Sequence, residues 1–344
     1  MQTDYSKPSA DIATEADAWQ LRDQEILAQQ REITRHLVNA PVREKCLLCE
    51  ADLDGLSLYR HRQTDYVFCG NCGHLQARAQ LPAGYPHAFA GNGFEAIYPR
   101  LDEQAYVSRR DRIYMPKLEW ALSRMTEAGR NEEKALRSSW MEIGCGAGYF
   151  LSALFAKGVR DARGLDENAD MVAVTNERCG DGCAQVTRDL FADIEACNAD
   201  ILVAFFVLEH VEDACRLWRI LGEKPSGTIF LFAVPTFGFS TALEGASDSF
   251  AARNLDSVIH TQLYTDHSID YALNMAGYDK AAEWLFGQDA QDLCRLLARS
   301  IPRTFDGTLH EELSAKLSRL IDPLQSAVDH ARFCDARHVL AVKR

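Results

Sequence analysis

Polar stretches bounded by glycine or proline divide the chain into short apolar runs. Trp140-Met-Glu-Ile143 is the first clear one, and Ala199-Asp-Ile-Leu-Val-Ala-Phe-Phe-Val-Leu-Glu-His-Val211 is the longest. Gly227-Thr-Ile-Phe-Leu-Phe-Ala-Val-Pro235 follows a Pro-Ser-Gly turn. Runs that stay apolar at both odd and even positions suit strands covered on both faces. After the first run, Phe150, Leu151, Ala153 and Leu154 change to a helical spacing. Strands alternating with helical patterns predict an α/β fold around a parallel sheet.

The N-terminal third has a different texture. Ile12, Trp19, Ile26 and Ile33 recur every seven residues, with no proline or glycine from Asp11 to Ala40, which predicts a long helix. Its flanking positions are mostly Glu, Arg and Gln, so the stripe reads as a lid or packing helix rather than a dimer seam. Next come Leu56 to Tyr59 and Tyr66 to Phe68, spaced as a hairpin. The segment from Pro82 to Gly93 is irregular and turn-rich, and Tyr85, His87 and Tyr98 are candidates to face a substrate there. Ala105 to Ala128 is helical in pattern, with one helix ending and another starting at Met115-Pro116. The divisions expected are 1–40 (N-terminal helix), 41–80 (a cysteine ribbon), 81–137 (linker loop and helices), 138–265 (a ligand-binding core) and 266–344 (the remainder of the same fold).

Two Cys-x-x-Cys knuckles, Cys46-Leu-Leu-Cys49 and Cys69-Gly-Asn-Cys72, flank the hairpin. Four thiolates so spaced close a tetrahedral Zn2+ site, and four cysteines leave no open position, so the metal is expected to be structural. The chain has 11 cysteines and carries no export signal, which predicts reduced thiols and a cytoplasmic protein. A net charge of −13 and a pI near 5.3 argue against a nucleic-acid partner. No apolar run approaches the roughly 20 residues of a spanning helix, so no membrane partner is expected.

Candidate chemistry starts at the end of the first strand. In Glu142-Ile-Gly-Cys-Gly-Ala-Gly148 an acid precedes three alternate glycines, Gly144, Gly146 and Gly148, around Cys145. Such a turn lets backbone approach a ligand closely. A dinucleotide fingerprint would place its third glycine at Tyr149, where there is none. About twenty residues on, Asp166 in Gly164-Leu-Asp-Glu-Asn168 ends a second apolar segment, where a carboxylate can accept from ribose hydroxyls, with Glu167 beside it. The long apolar run ends in Glu209-His210.

The acid-and-glycine turn resembles the first motif of class I S-adenosylmethionine-dependent methyltransferases. That resemblance implies a Rossmann-like, seven-stranded methyltransferase sheet, with His338-Val-Leu-Ala-Val342 as the closing antiparallel strand. It implies S-adenosylmethionine as cofactor, with Asp189 near the adenine amino group and Leu190 against the ring. A four-cysteine ribbon ahead of such a core is similar to sugar C-methyltransferases and to methyltransferases of bacterial polysaccharide clusters. In those enzymes a histidine after the fourth strand acts as base, and His210 is the matching position. Glu209 would orient it, and His260 is a rival base. Ubiquinone-type O-methyltransferases carry a metal-binding glutamate three positions before such a Glu. Here that position is Phe206, which disfavours a metal-assisted quinol reaction. The implied function is methyl transfer to a small hydroxylated acceptor, a nucleotide-activated or surface-polysaccharide sugar, with the oligomeric state open. Alternatives are an O- or N-methyltransferase of a secondary metabolite, or a non-catalytic methyltransferase-like binding protein.

Overall fold

The computed structural model describes residues 1–12, 23–56, 58–62, 64–80, 102–127, 129–256, 260–300 and 307–344. Tyr85, His87 and Tyr98 lie outside the described residues, as does Trp19. Twelve strands are described: β1 (Gln2–Tyr5), β2 (Leu58–His61), β3 (Thr64–Phe68), β4 (Leu75–Ala77), β5 (Trp140–Ile143), β6 (Ala162–Asp166), β7 (Ala184–Val186), β8 (Ile201–Phe205), β9 (Ile229–Pro235), β10 (Gln262–Leu263), β11 (Tyr278–Leu285) and β12 (Ala336–Lys343).

Eight of them form one sheet in the order β1-β11-β12-β9-β8-β5-β6-β7. Only β12 runs antiparallel to its neighbours. The seven expected strands are present, and β1 adds an eighth by pairing parallel to β11 from Gln2 opposite Ala282 to Tyr5 opposite Leu285. This corrects the expectation of helix from residue 1. Four polar-leaning residues are too short to nucleate a helix, and β11 offers them an open edge whose backbone groups need partners.

The apolar runs behave as their composition demands. Along β9, Ile229, Leu231 and Ala233 enter the core on one face of the sheet, and Phe230, Phe232 and Val234 enter the core on the other. Alternation across a pleat with both faces apolar leaves the strand no wet side. Among the described residues, no helix is long and apolar enough to cross a membrane.

Helix α1 (Asp23–Leu37) turns Leu27, Gln30 and Leu37 inward, while Ile26 is only partly covered. Ile26 of the expected heptad stripe thus lies at the edge of the buried face. Gln30 also faces inward: its amide donates to Ala252 O at 2.6 Å and accepts from Ala252 N at 3.0 Å, a polar pairing that apolar periodicity does not register. The helices α2 (Glu103–Arg109) and α3 (Met115–Glu127) are joined by a π-helical turn at Arg110–Tyr114, so the chain stays helical where a break was expected. Pro116 has no N–H for Arg112 O, and the buried Lys7 Nζ donates to that carbonyl at 3.1 Å instead.

The smaller sheet has the order β10-β4-β3-β2. Its fourth strand, β10, comes from the far side of the large-sheet core in sequence. Leu48, Leu53, Val67 and the cysteines Cys46, Cys69 and Cys72 share one apolar cluster with Trp218 of the helix Ala214–Gly222 and with Phe230 and Phe232 of the large sheet. The cysteine unit is packed onto the sheet face rather than standing apart from it.

Candidate active site at the switch point of the sheet

From β5 the chain goes outward to β6 and β7, and then returns to β8 and β9 on the other side. Order reverses between β5 and β8, and ligands of open α/β sheets bind at the carboxyl ends of strands at such a point. The two turns leaving those strands are the glycine turn and the Glu-His turn.

Gly144, Gly146 and Gly148 all take positive φ, at 70°, 51° and 76°. A Cβ on Gly144 would lie 2.4 Å from Val207 Cγ2, and one on Gly148 would lie 2.7 Å from Thr175 Cγ2. Gly146 differs: a Cβ there meets nothing within 4 Å. Two of the glycines thus serve packing, and the middle one faces open space. The amides of Gly144 and Cys145 both donate to Leu165 O, at 2.7 and 3.0 Å, and Thr175 Oγ1 donates to Gly146 O at 2.7 Å. Asp166 accepts from Gly146 N at 2.8 Å through Oδ2 and from Asn168 N at 2.9 Å through Oδ1, leaving acceptor capacity on both oxygens. Glu167 beside it is exposed.

Glu142 is buried under this turn, with Oε2 lacking a hydrogen-bond partner. Burial, and secondarily the charge of Asp166, push its carboxyl well above the usual range. Lys117 of α3 is also buried, its Nζ 5.1 to 5.2 Å from the ring centroids of Tyr114, Phe205 and Phe206. Burial, with Lys7 and Arg109 nearby, brings its ammonium down to about 7. Sequence reasoning did not single out Lys117. Its position one turn from Tyr114 and Ala121, inside the apolar stripe of the helix, was the available signal. Tyr106 and Tyr114 stack on Tyr149 at 4.5 and 5.2 Å, and Tyr106 OH donates to Ala147 O at 3.0 Å, which seats α2 and α3 against the glycine turn.

Asp189 is exposed, and its Oδ1 caps the helix Leu190–Ala196 by accepting from Phe191 N and Ala192 N, both at 3.1 Å. Leu190 is half-buried against the core.

Phe206 leaves β8 with φ 56°, a left-handed conformation that a non-glycine residue adopts at a cost of roughly 1–2 kcal/mol. The short 3-10 turn Leu208–His210 follows. Glu209 is fully buried with neither carboxylate oxygen hydrogen-bonded, and burial raises its carboxyl to about 8. The His210 side chain is 39% exposed, with Nε2 3.9 Å from Glu209 Oε1. The His260 ring lies 5.1 Å from that of His210; burial, then His210, lowers it to about 3. Donor atoms of Glu209, His210 and His260 all fall within 4.8 Å of one another.

The other such group among the described residues is Cys46, Cys49, Cys69 and Cys72. Cys46 and Cys72 Sγ are 3.6 Å apart, and Cys49 and Cys69 Sγ are 3.5 Å apart. The amides of Cys49 and Leu48 point at the Cys46 sulfur, and those of Cys72 and Asn71 at the Cys69 sulfur.

A family profile described as a methyltransferase domain matches residues 108–299, more than half of the chain. The chain belongs to this methyltransferase-domain family. The matched span runs from the helices over the glycine turn to the helix after β11. No curated protein matches this methyltransferase. Among solved structures, it is similar to a SAM-dependent methyltransferase from Archaeoglobus fulgidus, with 15% identity and a TM-score of 0.41, covering 70% of this chain and 100% of that one. A magnesium protoporphyrin IX methyltransferase from Synechocystis PCC 6803, solved with bound SAH, aligns at 13% identity and a TM-score of 0.40 over 67% of this chain and 83% of that one.

Proposed function

We propose that this methyltransferase holds its methyl donor across the glycine turn, with Asp166 and Glu167 at the ribose, Asp189 and Leu190 at the adenine, and Glu142, Gly144, Cys145, Gly146 and Gly148 around the amino-acid end. The acceptor is a small hydroxylated molecule, a nucleotide-activated or surface-polysaccharide sugar. One observation carries the reading. At the switch point, the open side of Gly146 after β5 adjoins the unfilled acceptor sites of Asp166 at the end of β6, and the exposed imidazole of His210 follows β8 on the other side of β5.

When bound, S-adenosylmethionine supplies a methyl already activated on a sulfonium, so the chain has to align the acceptor and take its proton. His210 takes that proton: its ring is reachable, and histidine titrates near operating pH. His260 is the weaker base, because burial holds it neutral far below neutral pH. Glu209, kept protonated at neutral pH by burial, places no charge beside His210 and shapes the turn instead. The sugar class rests on the resemblance of a four-cysteine ribbon preceding this core.

The four thiolates fit Zn2+. At a Zn–S distance of about 2.3 Å, tetrahedral geometry separates sulfurs by about 3.8 Å, close to the distances present. The metal would be held by Cys46, Cys49, Cys69 and Cys72 and would act on structure alone.

Incubating the zinc-loaded protein with labelled S-adenosylmethionine and a panel of nucleotide sugars tests the reading. A gain of one methyl mass on a panel member is expected. Donor binding by calorimetry without transfer to any member would remove the sugar reading and leave the methyltransferase. The closeness of Glu209, His210 and His260 favours a second reading, in which they hold a divalent cation at the acceptor oxygen. Mn2+ binding detected by paramagnetic resonance, and lost in His260→Ala, would support it; no Mn2+ binding would end it.

A further inference from the structure

The turn Leu208–His210 is held from outside by one side chain. Gln262 Nε2 donates to Val211 O at 2.6 Å and to Leu208 O at 3.1 Å, bracketing the Glu209-His210 pair. Both amide hydrogens are thereby used, so Oε1 is the acceptor for His74 Nε2 at 2.7 Å. That bond fixes the His74 proton on Nε2. Gln262 and His74 are both fully buried.

His74 is two residues beyond Cys72, and its backbone belongs to the second knuckle. Cys69 N donates to His74 O at 2.8 Å, Gly73 N donates to Cys69 O at 2.9 Å, and Thr265 Oγ1 donates to Gly73 O at 3.0 Å. Gln262 itself lies on β10, directly opposite Gln76 of β4. Gln76 reaches the first knuckle: its Oε1 accepts from Leu47 N at 2.9 Å and its Nε2 donates to Lys45 O at 3.2 Å. Two cross-strand glutamines therefore tie both cysteine knuckles and the Glu-His turn into one hydrogen-bonded block. In a buried block every lost partner strands a polar group, so the geometry at one end constrains the other.

We infer that the four-cysteine centre anchors the Glu209-His210 turn at the active site, with His74 and Gln262 as positioning residues that carry its geometry there. The inference rests on the reading of the cysteines as a zinc site and of His210 as an active-site group. Loss of metal releases the turn through Gln262 without touching the glycine turn, where the donor is held.

The test uses the full-length zinc-loaded protein, Gln262→Met, and both after chelation. Zinc is counted by elemental analysis, S-adenosylmethionine binding by calorimetry, amide exchange at Leu208–Val211 by mass spectrometry, and the His210 titration by NMR of labelled histidine. Gln262→Met should keep one zinc and bind the donor like the parent. Its exchange at 208–211 should rise on the order of tenfold, with a displaced His210 midpoint. Chelation should reproduce this in the parent and add little in the variant. An unchanged turn in zinc-bearing Gln262→Met, or a full additional effect of chelation on it, overturns the relay alone. A parent protein without zinc overturns the relay's anchor together with the four-thiolate reading, and absent donor binding identifies failure of the methyltransferase site. Should Gln262→Met not fold, Gln262→Glu keeps the acceptor for His74, weakens the donors to the turn and is read the same way.

Discussion

Two turns leave neighbouring strands at the switch point, and they are built in opposite ways. The glycine turn after β5 is made from its own surroundings: three residues with positive φ, amides bonded to Leu165 O, and a carbonyl held by Thr175. The Glu-His turn after β8 borrows its hold from Gln262, more than fifty residues on, which is in turn held by His74 of the cysteine unit. A turn that carries its geometry in local backbone chemistry can be carried from fold to fold as a motif. One that depends on distant buried partners is specific to the molecule that supplies them.

Removing the metal centre should break this comparison most strongly. Cys69→Ser leaves three thiolates in an apolar cluster shared with the large sheet, so zinc is expected to fall below one equivalent by elemental analysis. Stability should drop by about 4 kcal/mol in denaturant titration. Donor affinity, measured at a temperature where the protein remains folded, should change far less than the order and exchange of residues 208–211. Equal losses at both turns would show that the glycine turn depends on the ribbon as well.

Within the glycine turn the contrast can be drawn one residue at a time. Gly144→Ala combines a positive φ with a Cβ 2.4 Å from Val207 and should cost about 2–3 kcal/mol of stability. Gly146→Ala bears the φ term without a clash, about 1 kcal/mol, but places its Cβ in the open space assigned to the donor. Calorimetry should find donor binding lost in Gly146→Ala despite the smaller shift in melting. If both variants bind normally, the turn does not face the donor.

The same difference decided what could be read from sequence. Runs such as Ile229 to Val234 announce a strand because both faces are covered, and Glu142 to Gly148 announces a tight turn because glycine takes positive φ values at little cost. Acids at strand ends, such as Asp166, follow from the same local logic, whereas the cap that Asp189 makes for its helix was not read from the sequence. Strand β1 was illegible: Gln2 to Tyr5 has no apolar alternation, and its partner β11 lies some 280 residues away. Lys117 reads as a solvated helix residue until the sheet closes over it. Gln262 sits in a stretch with no periodicity, and nothing in its neighbours indicates that its amide ends between two carbonyls of the Glu-His turn.

The smallest expected effect concerns the proton on Glu209. Its carboxyl stands at about 8 in the fold against an ordinary value near 4.5, because burial penalises the charge. The folded state therefore binds this proton more tightly than the unfolded chain, and the carboxyl favours folding most at pH below 4.5. As pH rises from 4.5 to about 8, this contribution is lost, by on the order of 2 kcal/mol after allowance for relaxation. Glu209→Gln keeps the neutral shape and has no proton to lose, so its stability should decline less steeply than the parent's across that window. Asp289 and Glu244, raised by burial to about 8 and about 7 in the helical layer around Arg253, titrate alike in both proteins and cancel in the difference. Parallel stability curves for parent and Glu209→Gln would mean that the carboxylate reaches water or a cation at its turn, and would move the second reading of the Glu209, His210 and His260 group ahead of the first.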